Sequence, residues 1–412
     1  MDRLLLCVSA LCLGACGGGS GWNGSLEALL NSQPERFGVV MDDPSGYRVQ
    51  IIYTQIDRDE ENQPSFRSFG YRLNADEYFY PASTVKLPTA ALALEKLNRL
   101  DIRGLDRNTV MLTGRSADFQ TEAELDATSP IGLPTVAQYV QKILVVSDND
   151  AFNRLYEFLG QAPLNEAMAS KGYIGTRIIH RLEIALSVEQ NRHTNPVRFM
   201  RADRVVYQQP GVIAEDDLGG TKSELLGVAE IVDGERLDRP KDFSEKNAYP
   251  LQALHDTVKA LMFPDAVDAA SRFDLSDDDY RFMHRYMSEY PAESGIEAYA
   301  DGSFYPEGYV KFLKFGGSAD SIPDSIRIFN KVGDAYGFLT DAAYIVDFEN
   351  GIEFLLAATV YTNANQTFND NVYEYDEIGL PFLRDLGQAI YEVELARPRT
   401  HLPDLSALQN LR

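Results

Sequence analysis

The sequence predicts an α+β fold: an antiparallel sheet flanked by helices, formed from N- and C-terminal segments, with a mainly helical domain inserted between them. Three observations predict it. Two β-patterned segments lie near the N-terminus, three more lie in the last third, and helical periodicity dominates the chain between them. A lone hairpin has too little to bury, so strands at both ends of such a chain are expected to share one sheet. The boundaries that follow are a sheet-containing domain over 26–82 and 323–397, a helical domain over 83–322 with an insertion near 200–249, and a tail over 398–412.

The elements follow in order. Residues 26–37 carry Leu26, Leu29, Leu30 and Phe37 at helical spacing. Tyr47 to Tyr53 is β-branched and partly alternating, Asp57 to Pro64 is polar and turn-like, and Ser65 to Leu73 returns as a second strand. Phe79 to Pro88 leads into a helix over Thr89–Leu100. Two helices over 135–146 and 150–160 flank Ser147-Asp148-Asn149. From 200 to 249 Gly, Asp and Pro accumulate, which predicts loops and one hairpin. Helices are expected over 250–263 and 276–290. Strands are expected over Ser325–Lys331, Ala342–Asp347 and Ile352–Tyr361, with Asn350-Gly351 as a turn. A last helix over Phe382–Leu395 ends at Pro398.

At 412 residues the chain holds two to three domains on a scale of about 150 residues each. Hydrophobic residues make up 44% and charged residues 24%, which excludes a disordered tail, a collagen-like fibre and a disulfide mini-protein. The net charge of −24 argues against nucleic acid as a partner, because phosphate binding needs a basic footprint. All three cysteines, Cys7, Cys12 and Cys16, fall in the first sixteen residues. There Leu4 to Leu13 form an apolar run behind Arg3, too short for a spanning helix and suited to an export signal. It ends Leu13-Gly14-Ala15-Cys16, which resembles the lipobox of bacterial lipoproteins. The resemblance implies a signal peptide over 1–15, lipidation of Cys16, and a protein held at the cell envelope by its lipid, on the periplasmic or outer face, while the Gly- and Ser-rich composition reads as a flexible tether over 16–25. A plain secretory signal is the other reading.

Common catalytic signatures are missing: no His-Glu-x-x-His, no Walker loop, no dinucleotide glycine fingerprint and no Gly-x-Ser-x-Gly. The five histidines, His180, His193, His255, His284 and His401, lack metal-ligand spacing. Neither a metal nor an organic cofactor is expected. What remains is Ser83-Thr84-Val85-Lys86, the only Ser-x-x-Lys in the chain. Residues three apart on a helix share a face, so an amine lies beside a hydroxyl that needs a base to become a nucleophile. Ser147-Asp148-Asn149 is the only Ser-Asp-Asn, and Lys331-Val332-Gly333 stands on an expected strand, followed by Asp334-Ala335-Tyr336-Gly337. A second Lys-x-Gly, Lys314-Phe315-Gly316, lacks that strand context.

In this order and setting the three motifs resemble the active-site serine penicillin-recognising enzymes, most closely class A β-lactamases, over about 35 to 395. The resemblance implies that Ser83 is acylated, that Lys86 moves its proton, and that Ser147 relays a proton to the leaving nitrogen. It further implies that Asn149 holds the substrate amide and Lys86. Lys331 supplies positive charge near the substrate, and the N–H groups of Ser83 and Asp334 form an oxyanion hole beside Gly333. Class A enzymes also carry a glutamate that activates the deacylating water. Glu183, 36 residues after Ser147, is the first candidate, Glu189 the second, and the absence of a base the third.

Three departures shape the expectation. Val332 stands where the family has a Thr or Ser whose hydroxyl binds the substrate carboxylate. Asp334 replaces a small uncharged residue, and its carboxylate repels an anionic substrate unless it points away. The interval from Ser147 to Lys331 is longer than in the family, with the excess near 200–249 and around Glu297 to Ser325. The leading reading is a lipid-anchored serine hydrolase that opens β-lactams. The alternatives are a peptidoglycan D,D-peptidase or other acyl-transferring hydrolase on the same fold, and a non-catalytic envelope lipoprotein.

Overall fold

The computed structural model describes residues 22–215, 218–219, 224–319 and 321–411. The expected signal peptide and the lipidation site Cys16 lie outside the described residues. The tether expectation fails at its end. Trp22 docks edge-on against Tyr53 and Phe69, with ring centroids at 5.5 and 5.0 Å. Ser25 then caps a helix by accepting the Ala28 N–H. An indole finding two rings outweighs the freedom of a Gly/Ser stretch.

Five antiparallel strands make the central sheet, in the order Ile326–Ala335, Phe338–Asp347, Ile352–Tyr361, Gln50–Arg58, Pro64–Tyr71. The two ends of the chain meet where Ile52 pairs with Ala357. Both faces are covered, so the inner strands Phe338–Asp347 and Ile352–Tyr361 are buried along nearly their whole length and are mostly apolar. One face packs on the helices Lys86–Leu100, Val136–Val146, Asn149–Leu159 and Leu251–Met262. The other packs on Leu380–Ala396 and two short N-terminal helices. The Ile326–Ala335 strand alternates between them: Phe329 belongs to the first core, and Ile326, Ile328 and Val332 to the second.

Several elements differ from expectation. The single helix over 26–37 is two, Leu26–Asn31 and Pro34–Met41, because Pro34 cannot continue the first and opens the second. The first strand begins at Gln50, since Arg48 turns with φ +45°. The 200–249 region contains more strand than expected. Val197–Arg201 and Arg204–Gln209 form a hairpin beside Val110–Thr113. Ala229–Val232 and Glu235–Leu237 form a second, parallel to Thr367–Phe368. Both gain their partners from distant sequence, which local patterning does not reveal. The tail is tied down as well, with Leu405 buried and Leu408 and Leu411 packed on the first core. No helix among the described residues is long and apolar enough to cross a membrane.

Candidate active site

Ser83 sits in a tight turn, Ala82–Val85, that runs straight into the Lys86–Leu100 helix. Ala82 holds φ +46°, a left-handed conformation costly for a residue with a Cβ. Pro88 falls in the first helical turn, where its missing N–H leaves no bond unmade. The Ser83 N–H is one of the orphan donors at the start of this turn. Its hydroxyl makes no hydrogen bond to any described residue.

Ser147-Asp148-Asn149 is the joint between two helices. Ser147 ends the first in a left-handed cap, φ +62°. Asp148 caps the second by accepting the Ala151 N–H at 2.7 Å, and Asn149 is its first residue. The joint turns polar side chains toward Lys86. The Lys86 ammonium donates to the Ser147 carbonyl, to Ser147 Oγ at 3.2 Å and to Asn149 Oδ1 at 2.5 Å. From the sheet, Lys331 Nζ donates to Ser147 Oγ at 2.8 Å and to the Val332 carbonyl at 2.9 Å. Asn149 Nδ2 donates to Glu183 Oε2 at 2.8 Å. The structure thus brings Ser83, Lys86, Ser147, Asn149, Lys331 and Glu183 to one cleft.

Gly333 explains how close the strand comes. A Cβ there would lie 2.5 Å from the Pro81 carbonyl and 2.9 and 3.0 Å from the N atoms of Ser83 and Thr84. Only glycine lets the strand backbone reach the serine turn. Burial, followed by the nearby Lys331 charge, holds the Lys86 amine well below the usual lysine range. Burial lowers Lys331 to about 7, against the pull of Asp334 and Asp341. Asp334 is exposed near the end of its strand, on the face that carries Val332. Desolvation of its carboxyl raises its pKa in spite of the Lys331 and Lys86 charges.

Other expectations are resolved by placement. Val332 does not line the cleft: strand alternation turns it into the second core, where it is 2% exposed. A side chain at this position therefore faces the second core rather than a substrate carboxylate. Glu189 is exposed and pairs with Arg192 and His193 rather than with the serine. Lys314 lies on the opposite side of the sheet, its ammonium 3.5 Å above the Tyr391 ring. Four histidines have structural partners. His180 donates to the Arg181 carbonyl and lies parallel to Tyr80, His193 pairs with Glu189, His255 meets Thr54, and His284 meets the Leu261 carbonyl.

The sequence did not single out two groups beside the site. Lys311, Asn330 and Asp341 form a buried network at the outer edge of the Lys331 strand. The signal was available: Asn330 stands between Ile328 and Val332, and Asp341 between Leu339 and Ala343, each a polar residue flanked by core residues on its face. Tyr299, Tyr305 and Tyr309 pack edge-to-face at 5.4 and 5.0 Å in the added segment, against the Val145–Val146 end of the helix before Ser147. No periodicity marks that segment in the sequence.

Fold and site together define an active-site serine hydrolase of the β-lactamase type. Residues 28–213 match the family model described as "Beta-lactamase enzyme family". The match stops short of the Lys331 strand. No curated protein matches the chain. Solved structures similar to it include a beta-lactamase from Sphaerobacter thermophilus DSM 20745, at 15% identity over 88% of this chain and 96% of that one, with a TM-score of 0.49. A beta lactamase from Xanthomonas campestris pv. campestris str. ATCC 33913 is 17% identical over 90% and 98%, TM-score 0.49. The beta-lactamase from Streptomyces albus G is 17% identical over 89% and 98%, TM-score 0.47.

Proposed function

We propose that this protein opens β-lactam amides through an acyl-enzyme at Ser83, and that it does so at the bacterial cell envelope, held by a lipid on Cys16. The observation that carries the catalytic part is the Asn149 amide. It accepts from Lys86 on one side and donates to Glu183 on the other, which puts a carboxylate beside the nucleophile's base. The lipobox-like Leu13-Gly14-Ala15-Cys16 supports the anchoring part.

In the first half-reaction Ser83 Oγ attacks the amide carbonyl carbon and gives its proton to the Lys86 amine. Burial favours the neutral amine that such a base requires. The developing oxyanion is held by the N–H groups of Ser83 and Asp334. As the C–N bond breaks, a proton passes from Lys86 through Ser147 Oγ to the leaving nitrogen. Lys331, bonded to the same hydroxyl, keeps positive charge at that point. In the second half Glu183 takes a proton from water, whose oxygen attacks the acyl carbonyl. The ester C–O bond breaks and Ser83 recovers its proton.

Intact-mass measurement during turnover of a penicillin tests this. A transient adduct on Ser83 is expected, and E183Q should make it persist. Equal lifetimes in E183Q and parent would remove Glu183 from deacylation. A lasting adduct in the parent itself would replace hydrolysis of β-lactams by the D,D-peptidase reading.

A further inference from the structure

Glu183 stands at the end of a stretch that has no ladder of its own. Residues 178–182 run mostly buried, as neither helix nor strand, between the isolated Arg177–Ala248 bridge and Glu183. Backbone N–H groups in such a stretch need partners from elsewhere. Side-chain amides supply them. Asn165 Oδ1 accepts the Ile178 N–H at 2.8 Å, Asn191 Oδ1 the Arg181 N–H at 2.9 Å, and Asn153 Oδ1 the Leu182 N–H at 2.9 Å. Asn247 Oδ1 accepts the two between, from Ile179 at 2.8 Å and from His180 at 3.1 Å. Its Nδ2 donates to the His180 carbonyl at 3.3 Å. Glu183 itself holds φ +59°, a left-handed conformation that persists only where its surroundings over-determine it.

Asn247 differs from the other three amides in origin. They stand on the helices Asn149–Leu159, Gln161–Ser170 and Val188–Arg192, whereas Asn247 comes from the added stretch near 200–249. It is not exposed at all. Beside it Arg177 and Ala248 exchange two backbone bonds, at 2.7 and 2.8 Å. The Arg177 guanidinium donates to the Ser244 and Lys246 carbonyls, at 2.8 and 3.1 Å. On its other side the stretch is fastened to the approach to Ser83. Tyr78 donates to the Asn247 carbonyl at 2.8 Å, and the Phe243 ring packs on Tyr78 and Tyr80, with centroids at 5.6 and 6.1 Å. One short segment therefore joins the serine turn to the glutamate loop. We propose that Asn247 is a positioning residue for deacylation, through which the insertion sets where Glu183 stands over the acylated Ser83. This rests on the reading of Glu183 as the base of the second half-reaction. Removing the Asn247 oxygen strands two buried N–H donors, so the backbone just before Glu183 must shift to find other partners. Acylation runs through Ser83, Lys86 and Ser147, none of which the loop carries.

The test reads two rates with a penicillin by intact mass, formation of the adduct and its decay. N247A should lengthen the adduct lifetime by about tenfold to 100-fold, as a shift near 1 Å at a reacting group does, and leave acylation within about twofold. N247D keeps an oxygen for both N–H groups and should bring the lifetime most of the way back. R177A loosens the same clasp from the loop side and should lengthen the lifetime less than N247A. Only molecules that acylate are counted, so a lower folded fraction does not enter the lifetime. The adduct of E183Q/N247A should last no longer than that of E183Q, because Asn247 acts through Glu183. An unchanged lifetime in N247A would overturn the positioning role. So would acylation slowed as much as deacylation, or a lifetime in the double variant that multiplies the two single effects. The two levels separate through E183Q. A parent-like lifetime in E183Q would remove Glu183 as the base and the Asn247 role with it. A long lifetime in E183Q beside a parent-like one in N247A would remove the Asn247 role alone.

Discussion

Two lysines on either side of the Ile326–Ala335 strand are equally buried and serve different ends. Lys86 lies in the cleft and Lys311 at the strand's outer edge, and neither is exposed at all. Burial is the largest cause that lowers both pKa values, with Lys311 reaching about 7. Their partners differ. Lys311 donates to two backbone carbonyls, Met287 and Ile328 at 2.9 Å each, and to Asn330 Oδ1 at 2.8 Å. Asn330 passes the contact on to Asp341, which also accepts the N–H groups of Phe312 and Leu313. Every acceptor there is fixed and walled in. Lys86 faces a serine hydroxyl that can turn, an amide shared with Glu183, and an open cleft. Burial alone therefore does not make a lysine a base. A hydroxyl within reach and room for a substrate do.

The sharpest way to break this comparison is to replace each lysine by methionine. K86M should abolish acylation by penicillin while costing little stability, since water can enter the cleft and satisfy the freed acceptors. K311M should cost about 3–5 kcal/mol in urea unfolding, because it leaves buried carbonyls and Asp341 without their cation. The folded fraction should still acylate. If K86M proved the more destabilising of the two, the division of labour would be wrong.

A second, smaller effect concerns how the strand meets the serine turn. G333A forces a Cβ to within 3.0 Å of three backbone atoms, so the strand must retreat. A displacement near 1 Å at a reacting centre costs on the order of 100-fold, and kcat/KM for acylation should fall by that amount. Pre-steady-state acylation with a chromogenic cephalosporin would read it.

The third effect is one of pH. Lys331 titrates at about 7, so its charge is present below that value and lost above it. The acylation rate should therefore decline as pH rises through about 7. An arginine stays charged throughout, so K331R should flatten the falling limb whatever it does to the maximum. A profile unchanged in K331R would assign the limb to another group. The smallest effect is V332T. Its hydroxyl would enter the second core and cost about 1–3 kcal/mol, and the KM for a penicillin should stay where it was. A lower KM would mean that the side chain does face the substrate.

Part of this molecule was legible in the sequence because it is local. Three-residue spacing places Ser83 and Lys86 on one side of a helix, and the switch from period 3.6 to period 2 marks the strands of the C-terminal third. Ser147 and Asp148 end one helix and start the next through their own backbone and cap, so that joint could be read from eleven-residue patterns on either side. Tertiary structure decided the rest. Val332 looked like a missing donor until the strand's register turned it into the core. Glu183 became a partner of Asn149 only when its loop was folded over the cleft. The two hairpins between 197 and 237 exist because Val110–Thr113 and Thr367–Phe368 supply edges to pair with. Local spacing fixes which side chains can share a face. Which face meets the cleft depends on pairings between residues far apart in the chain, and those are set by burial of the whole sheet.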